Sequence, residues 1–434
     1  MNETLGTVDT RSTGSAVFIM FVCMMLYVIN YADRTILSAT LPLIKADLGL
    51  TDAQAGWLGT AYFIMVAVLT IPSSILVDRW SRKKSLALMA LLWSTATWFT
   101  GLGRSFGQLM VIRGAVGVGE AGFAPGGLTY VTASFSEKRR SLVTGIFTMG
   151  AVLGAMIGLI AASHIAQADV MGLGWRAPYF FFAIPGVMLG ILVLFTRDYS
   201  TQTATIEPGG QAPSIWKDVL SILKNPTFLL VSLSVGMGNI AVTGSLQFLP
   251  MYLMRTRGID VAQASTIFAV MSAFMLPAFI LTGIFADWWQ KRRANGRILA
   301  LLTYLTISAV AITCALLLDS IHQHFPALIM FTISGSLVST LVAVSASGLQ
   351  GLVPLRLRSL SMGVLILLTY TVGGFGPLLV GWLSDKLGTI ENPDLSSAFW
   401  VLPIALLIGI ILAFLGSRTY GHASNTEDQH MKTS

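Results

Sequence analysis

Apolar runs of about 20 residues recur from one end of this chain to the other, and each can cross the hydrocarbon core of a bilayer. Only 11% of the residues are charged, against roughly 25% in a soluble domain. The sequence therefore predicts an all-α polytopic membrane protein and excludes an ordinary globular enzyme. Twelve runs are found, at about 16–44, 53–77, 85–103, 106–134, 142–166, 175–196, 227–254, 262–286, 298–318, 325–352, 360–384 and 396–416.

Lysine and arginine are distributed unequally between the loops on the two sides of these spans. If both termini are cytoplasmic, 19 of the 27 basic residues fall in cytoplasmic segments and six in outer segments. Cytoplasmic loops of membrane proteins carry this excess, so we expect cytoplasmic N- and C-termini. The net charge of +7 is then a topology signal, and it requires no nucleic-acid partner. Cys23 and Cys314 both lie in predicted spans, which argues against a disulfide framework.

The chain divides into two halves that repeat each other. We expect an N-terminal six-helix bundle at 1–196, a cytoplasmic linker at 197–226, a C-terminal six-helix bundle at 227–416 and a cytoplasmic tail at 417–434. Within the linker, 214–224 predicts either a short interfacial helix or an ordinary structured loop. GLTDAQA at 49–55 matches GIDVAQA at 258–264, and RSLVTG at 140–145 matches RSLSMG at 358–363. Six-plus-six repeats are typical of carriers that rock one half against the other around a midplane site.

Four charged residues lie well inside the predicted spans of the first half, away from the span ends. Asp33 and Arg34 lie near the middle of the first span, and Arg113 and Glu120 lie in the fourth. Arg113 and Glu120 are seven residues apart, which places them two turns apart on one helix face. An intramembrane charge costs about 2.5–3.5 kcal/mol and normally faces a cavity and a partner. We expect all four in one layer, either as a transport site or as ion pairs that only fix helix packing.

The functional interpretation assigns Arg34 or Arg113 to an anionic group of a substrate and a carboxylate to a proton. An anion that reaches an arginine competes with the carboxylate and frees it for protonation, which couples the two events. Glu120 is the preferred proton carrier, with Asp33 as the alternative. Polar side chains in neighbouring spans could line the cavity, although each alone is more often a helix–helix hydrogen bond. They are Tyr31, Tyr62, Asn239, Gln247, Ser347, Thr369 and Tyr370.

A second set of charges marks the cytoplasmic ends of the spans. Asp78 directly after the second span and Asp287 directly after the eighth are each followed by a basic cluster. An acid at this position can meet the positive N-terminal end of a helix in the opposite half when the cytoplasmic side is closed. Positive-inside topology explains the bases equally well, but not the two matched acids. The predicted conformational switch comprises Asp78, Arg79, Arg82, Lys83, Asp287, Arg140 and Arg358.

Together these features resemble the major facilitator superfamily over essentially the whole chain. The loop around Asp78 is similar to the family's G-x-L-x-D-R-x-G-R-K signature, with Ser74 and Ser81 in place of its glycines. RGAVGVGEAG resembles the signature of the fourth span, and GAVLGAMIG that of the fifth with Ala155 in place of its proline. NYADR, GVGEAGFAP and GWRAPYFFFAIPG look most like bacterial spinster-type transporters. The anion:cation symporters of sugar acids share the Asp-Arg and Arg-x6-Glu pattern.

The resemblance implies twelve transmembrane helices in two six-helix bundles related by a pseudo-two-fold axis. In both groups the positions matching Asp33, Arg34, Arg113 and Glu120 are implied to bind substrate or protons. It implies a proton-coupled secondary transporter that moves an organic anion or an amphiphilic, lipid-like solute by alternating access. The alternatives are a symporter of small sugar acids or other carboxylates and, in a different class, a passive channel. We expect a monomer in the bacterial inner membrane, with the lipid bilayer, a small-molecule or lipid-like substrate and protons as its partners.

Two other classes are disfavoured by missing motifs. No Gly-Lys dipeptide occurs, so the chain lacks the phosphate-binding loop of an ATP-driven pump. H-E-x-x-H, which would indicate a metal-dependent hydrolase, is also absent, and the G-x-S-x-G match at 103–107 connects two predicted helical spans without the strand that precedes the nucleophile of such hydrolases. The sequence predicts no cofactor and no metal site.

Overall fold

The computed structural model describes residues 13–136, 139–198, 215–354, 357–389 and 392–432, and twelve long helical segments within them follow the predicted spans. We number them α1 to α12. The first six are α1 (Thr13–Leu48), α2 (Asp52–Arg79), α3 (Arg82–Thr100), α4 (Phe106–Glu120, continued by Phe123–Ala133), α5 (Arg140–Gln167) and α6 (Ala177–Val193). The second six are α7 (Pro226–Arg257), α8 (Val261–Ala273, continued by Met275–Gln290), α9 (Gly296–Ser320), α10 (His324–Ser339, continued by Leu341–Leu349), α11 (Arg358–Gly373, continued by Gly376–Leu387) and α12 (Val401–Lys432).

Ten of these segments are long and apolar enough to cross a membrane by length and composition. The two others are α3, which starts with three basic residues, and α4, which is interrupted at Ala121 and Gly122. Within the described ranges the chain forms helices, turns and loops but no β-strand. The prediction of an all-α polytopic membrane protein is confirmed.

The repeats seen in the sequence mark equivalent helix boundaries. Gly49 and Gly258 both have a φ of +63°, so α1 and α7 each end at a left-handed residue that glycine adopts without steric cost. Thr51 then caps α2, and Asp260 caps α8, each by accepting a hydrogen bond from the backbone N–H three residues on. The second repeated motif begins α5 and α11. The repeats thus encode the same helix starts and stops in each half.

Close helix packing in the N-terminal half depends on glycine. A Cβ on Gly154 of α5 would lie 2.2 Å from the carbonyl oxygen of Val28 on α1. One turn later, a Cβ on Gly158 would lie 2.2 Å from the Thr35 hydroxyl. Backbones can approach this closely only where side chains are small, and in lipid such contacts hold helices together. The GAVLGAMIG stretch is therefore a packing surface for α1.

The two halves meet mainly where α2 packs on α11, α5 on α8 and α1 on α7. We call the end of the molecule with the first residues of α1 and the α2–α3 loop the terminal face, and the end with the α1–α2 and α7–α8 turns the opposite face. The short helix Ile215–Leu223 lies at the terminal face, where Val219 and Ile222 are buried and Lys217 and Leu220 are exposed. One side of this helix therefore packs on the protein.

Candidate functional site

The first and fourth helices meet through an ion pair at mid-height. Arg34 Nε lies 2.9 Å from Glu120 Oε2, and the Glu120 side chain has no exposed surface. Tyr62 of α2 donates its hydroxyl hydrogen bond to the same carboxylate oxygen. Arg34 keeps 10% of its side chain exposed. Charges from α1 and α4 therefore do form an ion pair. Its Glu120 side is fully shielded from solvent, whereas its Arg34 side is slightly exposed.

Asp33 and Arg113 are buried in the same region, but neither forms an ion pair with another described residue. Asp33 Oδ2 accepts a hydrogen bond of 3.0 Å from the Thr97 hydroxyl on α3. The Arg113 guanidinium lies 5.3 Å from the centre of the Tyr62 ring, and its Nε and Nη1 have no hydrogen-bond partner among the described residues. The four charges thus form one pair and leave one buried acid and one buried base unpaired.

Aromatic side chains surround Arg34. Its guanidinium lies 4.5 Å from the Tyr31 ring centre and 5.6 Å from that of Tyr62. Tyr370, from α11 in the other half, interacts with Arg34 and stacks on Phe63 with ring centres 5.9 Å apart. Cations are attracted to the faces of such rings, and the attraction increases where water is displaced. The stacking of Phe63 on Tyr370 therefore joins the two halves at this site. Tyr370 was among the predicted lining residues, but Phe63 was not.

The remaining predicted lining residues are placed at three different positions. Asn239 lies beside the site, where its amide donates to the Thr369 carbonyl at 3.5 Å. Gln247 lies between the halves and donates to the Ala55 carbonyl at 3.5 Å. Ser347 lies apart from the charges, close to the terminal face, where its carbonyl accepts from Arg297 at 3.0 Å.

The predicted switch residues are found at the terminal face. The side chains of Asp78 and Arg79 lie outside the part of the structure that is described. Asp287 pairs with Arg297 of its own half at 2.9 Å, and Lys83 donates to two carbonyls at the end of α6 at 3.2 Å. Arg82 is partly buried, whereas Arg140 and Arg358 are exposed.

An ionic network at the opposite face joins the halves, and none of its residues was among the predicted site residues. Asp52, at the start of α2, has no exposed side-chain surface and binds Arg255 of α7 with oxygen–nitrogen distances of 2.6 and 2.9 Å. Lys45 pairs with the same carboxylate, and the Ser384 hydroxyl of α11 donates to it at 2.6 Å. Asp385 accepts hydrogen bonds from the first two backbone N–H groups of α2 at 3.0 and 2.8 Å. We call these five residues the opposite-face network.

Two cavities lie near these elements. One, of about 380 Å³, opens at the terminal face between α2, α4 and α11, with Thr70, Thr129 and Gly363 among its walls. The other, of about 60 Å³, lies between α7, α8, α9 and α10 and is lined largely by apolar and small residues. Leu246 lines this apolar cavity and also packs against the buried cluster that contains Tyr62. Leu246 therefore lies between the apolar cavity and that buried cluster.

Comparison with known proteins decides the family. The model of the Major Facilitator Superfamily matches residues 23–303. The chain belongs to this superfamily. Its members are transporters, so the chain is an integral membrane transporter and not an enzyme, and its helices form the twelve-helix fold of the superfamily.

Relatives within the superfamily include spinster proteins and sugar acid transporters. The chain is 27% identical to Protein spinster homolog 1 of Bos taurus, with 96% of this chain and 82% of the relative covered. It is 24% identical to the sphingosine-1-phosphate transporter SPNS2 of Mus musculus (88% and 73% covered) and 26% identical to the hexuronate transporter of Bacillus subtilis (84% and 87%). A crystal structure described as a bacterial homolog of the human lysosomal transporter Spinster, inward-facing and unoccupied, superposes with a TM-score of 0.74 at 22% identity, covering 96% and 98% of the two chains.

Proposed function

We propose that this chain is a proton-coupled secondary transporter that moves an organic anion with an apolar tail by alternating access. The observation that carries the proposal is Arg113, a buried cation with two unpartnered donor nitrogens and no ion-pair partner among the described residues. A buried charge is costly unless it is compensated. An anionic group of the substrate would supply that compensation.

Proton coupling is supported by the way Glu120 is held. Its carboxylate is stabilised by hydrogen bonds from Arg34 and Tyr62. An anion that interacts with Arg34 would weaken that stabilisation, and a buried carboxylate without a cation favours its protonated form. Substrate and proton would then bind together, and neither would leave an uncompensated charge in the membrane.

Alternating access is supported by the unequal ends of the molecule. The opposite-face network joins the halves at one end, and a cavity lies between them at the other. The excess of basic residues assigns the terminal face to the cytoplasm. We propose a monomer in the bacterial inner membrane that is open inward in this structure.

The apolar cavity favours an amphiphile over a sugar acid as the substrate. The cavity is narrow, with a volume of about 60 Å³, and Phe268, Met271 and Ile312 are among the apolar side chains that form its wall. A space this narrow suits an alkyl chain better than a hydrated sugar ring. Burial of each methylene contributes about 0.8 kcal/mol, so a chain of several carbons would add substantially to affinity. The mouse relative named for sphingosine-1-phosphate, an anion with an alkyl tail, is consistent with this choice.

Counterflow in proteoliposomes tests the substrate class. The solutes are alkyl phosphates of increasing chain length, with glucuronate as the sugar acid. We expect counterflow to increase with chain length and to be absent with glucuronate. Gly335 lines the cavity and a Cβ there would meet nothing within 4 Å, so Gly335→Leu should fill the cavity and abolish the preference for long chains. Gly283→Leu is the matched control, because Gly283 also has open space but does not line the cavity. Counterflow of glucuronate but not of alkyl phosphates would contradict the amphiphile proposal.

A further inference from the structure

The turn between α8 and α9, at the terminal face, carries three consecutive basic residues. Lys291, Arg292 and Arg293 are all exposed, and none of their side chains forms an ion pair or a hydrogen bond with another described residue. Asp287, one helical turn earlier, is already paired with Arg297 at 2.9 Å. The three positive charges of the turn therefore have no counterion within the described part of the protein.

The backbone of this turn is held in place by local contacts. The Gln290 side chain donates to the Ala294 carbonyl at 2.8 Å and accepts from the Arg297 backbone N–H at 3.1 Å, so one side chain closes the turn from both ends. Gly296 packs so closely on the end of α8 that a Cβ there would lie 2.4 Å from the Trp289 carbonyl oxygen. The turn is therefore a compact structure that presents its basic residues from a fixed position at the end of α8.

An apolar helix face leads directly up to these charges. Ile280, Ile284 and Trp288 follow one another at intervals of four along α8, and all three are exposed. Because the chain is an integral membrane protein, this face meets lipid chains, and tryptophan is typical of the boundary between hydrocarbon and headgroups. The Arg292 guanidinium lies 3.7 Å from the centre of the Trp288 ring. Stacking uses the face of the guanidinium and leaves the N–H groups at its edge free to donate to a phosphate.

The equivalent turn of the N-terminal half is built differently. Lys83 is the counterpart of Arg292 in the repeat that aligns Asp78 with Asp287. Its side chain is partly buried and donates to two backbone carbonyls at the end of α6 at 3.2 Å. Positive-inside topology requires only that basic residues lie on this side, and it predicts no difference between the two halves. The exposed cluster beside Trp288 therefore indicates a contact that the N-terminal turn does not make.

We propose that Trp288, Lys291, Arg292 and Arg293 bind the headgroup of an anionic phospholipid in the leaflet at the terminal face. The lipid phosphate accepts hydrogen bonds from the edge of the Arg292 guanidinium, and Lys291 and Arg293 add charge attraction. The acyl chains lie along the exposed apolar face of α8 below Trp288. Charge complementarity and the adjoining apolar surface favour this occupant, because a soluble anion would use the three charges but not the apolar face.

Native mass spectrometry of the purified full-length chain in a neutral detergent tests the site. The protein is titrated with phosphatidylglycerol or with phosphatidylcholine of the same acyl chains, and the bound lipid is identified by its mass. We expect phosphatidylglycerol to bind about tenfold or more tightly. A basic residue near an anionic lipid surface contributes about fivefold, so Lys291→Gln and Arg293→Gln should each weaken phosphatidylglycerol binding by about that factor. Arg292→Gln should weaken it further, and Trp288→Leu, which keeps the apolar face but removes the ring, about two- to fivefold.

Arg139→Gln is the matched control, because Arg139 is an exposed arginine just before α5 at the same face and stacks on no described aromatic ring. It should leave phosphatidylglycerol binding unchanged, and every variant should melt in lipid-free detergent at the temperature of the unmodified chain, since the replaced side chains are exposed. Equal binding of the two lipids, or equal losses in Arg139→Gln and Arg292→Gln, would overturn the site in favour of diffuse surface charge. Displacement of the bound lipid by glycerol phosphate at equal concentration would mean a site for soluble anions, and a dimer that Arg292→Gln dissociates would mean that a second copy occupies this surface; either result would contradict the lipid proposal.

Discussion

Substitution of Asp52 by Asn tests whether the opposite-face network keeps that face closed. The Asp52 carboxylate is buried and joins α1 and α2 to α7 and α11 through Lys45, Arg255 and Ser384. The contacts with Arg255 and Ser384 connect the two halves, so they exist only while the opposite face is closed. Loss of the charge therefore destabilises the closed opposite face selectively and shifts the population toward the state that is open there.

The size of the shift follows from the contacts that are lost. Arg255 makes a bidentate hydrogen-bonded ion pair with Asp52. Hydrogen bonds to charged groups contribute about 1.5–3 kcal/mol each. Arg255 keeps 29% of its side chain exposed and Lys45 18%, so water compensates for part of the loss. Asparagine can still accept one hydrogen bond. We therefore expect a net change of about 2–3 kcal/mol, which corresponds to a population shift of about 30- to 150-fold.

The assay is alkylation of a single cysteine by a membrane-impermeant reagent added from the opposite face. Cys23 and Cys314 are first replaced, and Ser38→Cys places the reporter below the network, where Ser38 is buried and donates to the Gln247 carbonyl at 3.4 Å. Asp52→Asn should increase the labelling rate by at least about tenfold. Asp260→Asn is the control, since Asp260 is an exposed helix cap at the same face that joins no helices of different halves. An unchanged labelling rate in Asp52→Asn would show that the network does not keep the opposite face closed.

Three further predictions concern the charged site and the packing of α1. Glu120→Gln should abolish uphill uptake driven by a pH gradient while counterflow persists; unchanged gradient-driven uptake would remove the proton role. In counterflow, Arg113→Gln should raise the half-saturation concentration of an anionic substrate about tenfold to a hundredfold, because about 1.4–3 kcal/mol of charge-assisted binding is lost. An unchanged half-saturation concentration would mean that the anion binds elsewhere. Gly154→Ala should lower the free energy of unfolding by about 1–3 kcal/mol, because the new Cβ meets the Val28 carbonyl. Gly145→Ala, in open space on the same helix, should not destabilise the protein. Equal effects of the two substitutions would contradict close packing at Gly154.

The helices and their boundaries could be read from the sequence because they depend on local properties. The length and apolarity of each run identify it as a membrane-spanning helix, since every backbone polar group in lipid must be hydrogen-bonded within the helix. The repeated motifs at 49–55 and 258–264 matched because glycine ends a helix and Thr or Asp begins the next in both halves. The meeting of Arg34 with Glu120 was also predictable, because charges in the middle of two spans have few other ways to be compensated.

Contacts between distant segments were not predictable in the same way. Asp33 and Arg34 are neighbours in sequence, but successive residues on a helix point in directions about 100° apart, so Asp33 faces Thr97 while Arg34 faces Glu120. Asp52 and Arg255 lie 203 residues apart, and nothing in either local sequence indicates the other. Ser347 has the polarity expected of a lining residue, but its position on the helix places its backbone carbonyl next to Arg297, away from the charged site.

Sequence alone is enough to predict a polytopic helical membrane protein with its intramembrane charges in the N-terminal half, because the cost of a charge or an open backbone in lipid depends only on local composition. Which charges pair, which remain unpaired and how the halves meet at the opposite face are known only from the packed helices. Those outcomes depend on helix rotation and on how two bundles dock, and both are set by the sum of many weak contacts between segments far apart in the chain.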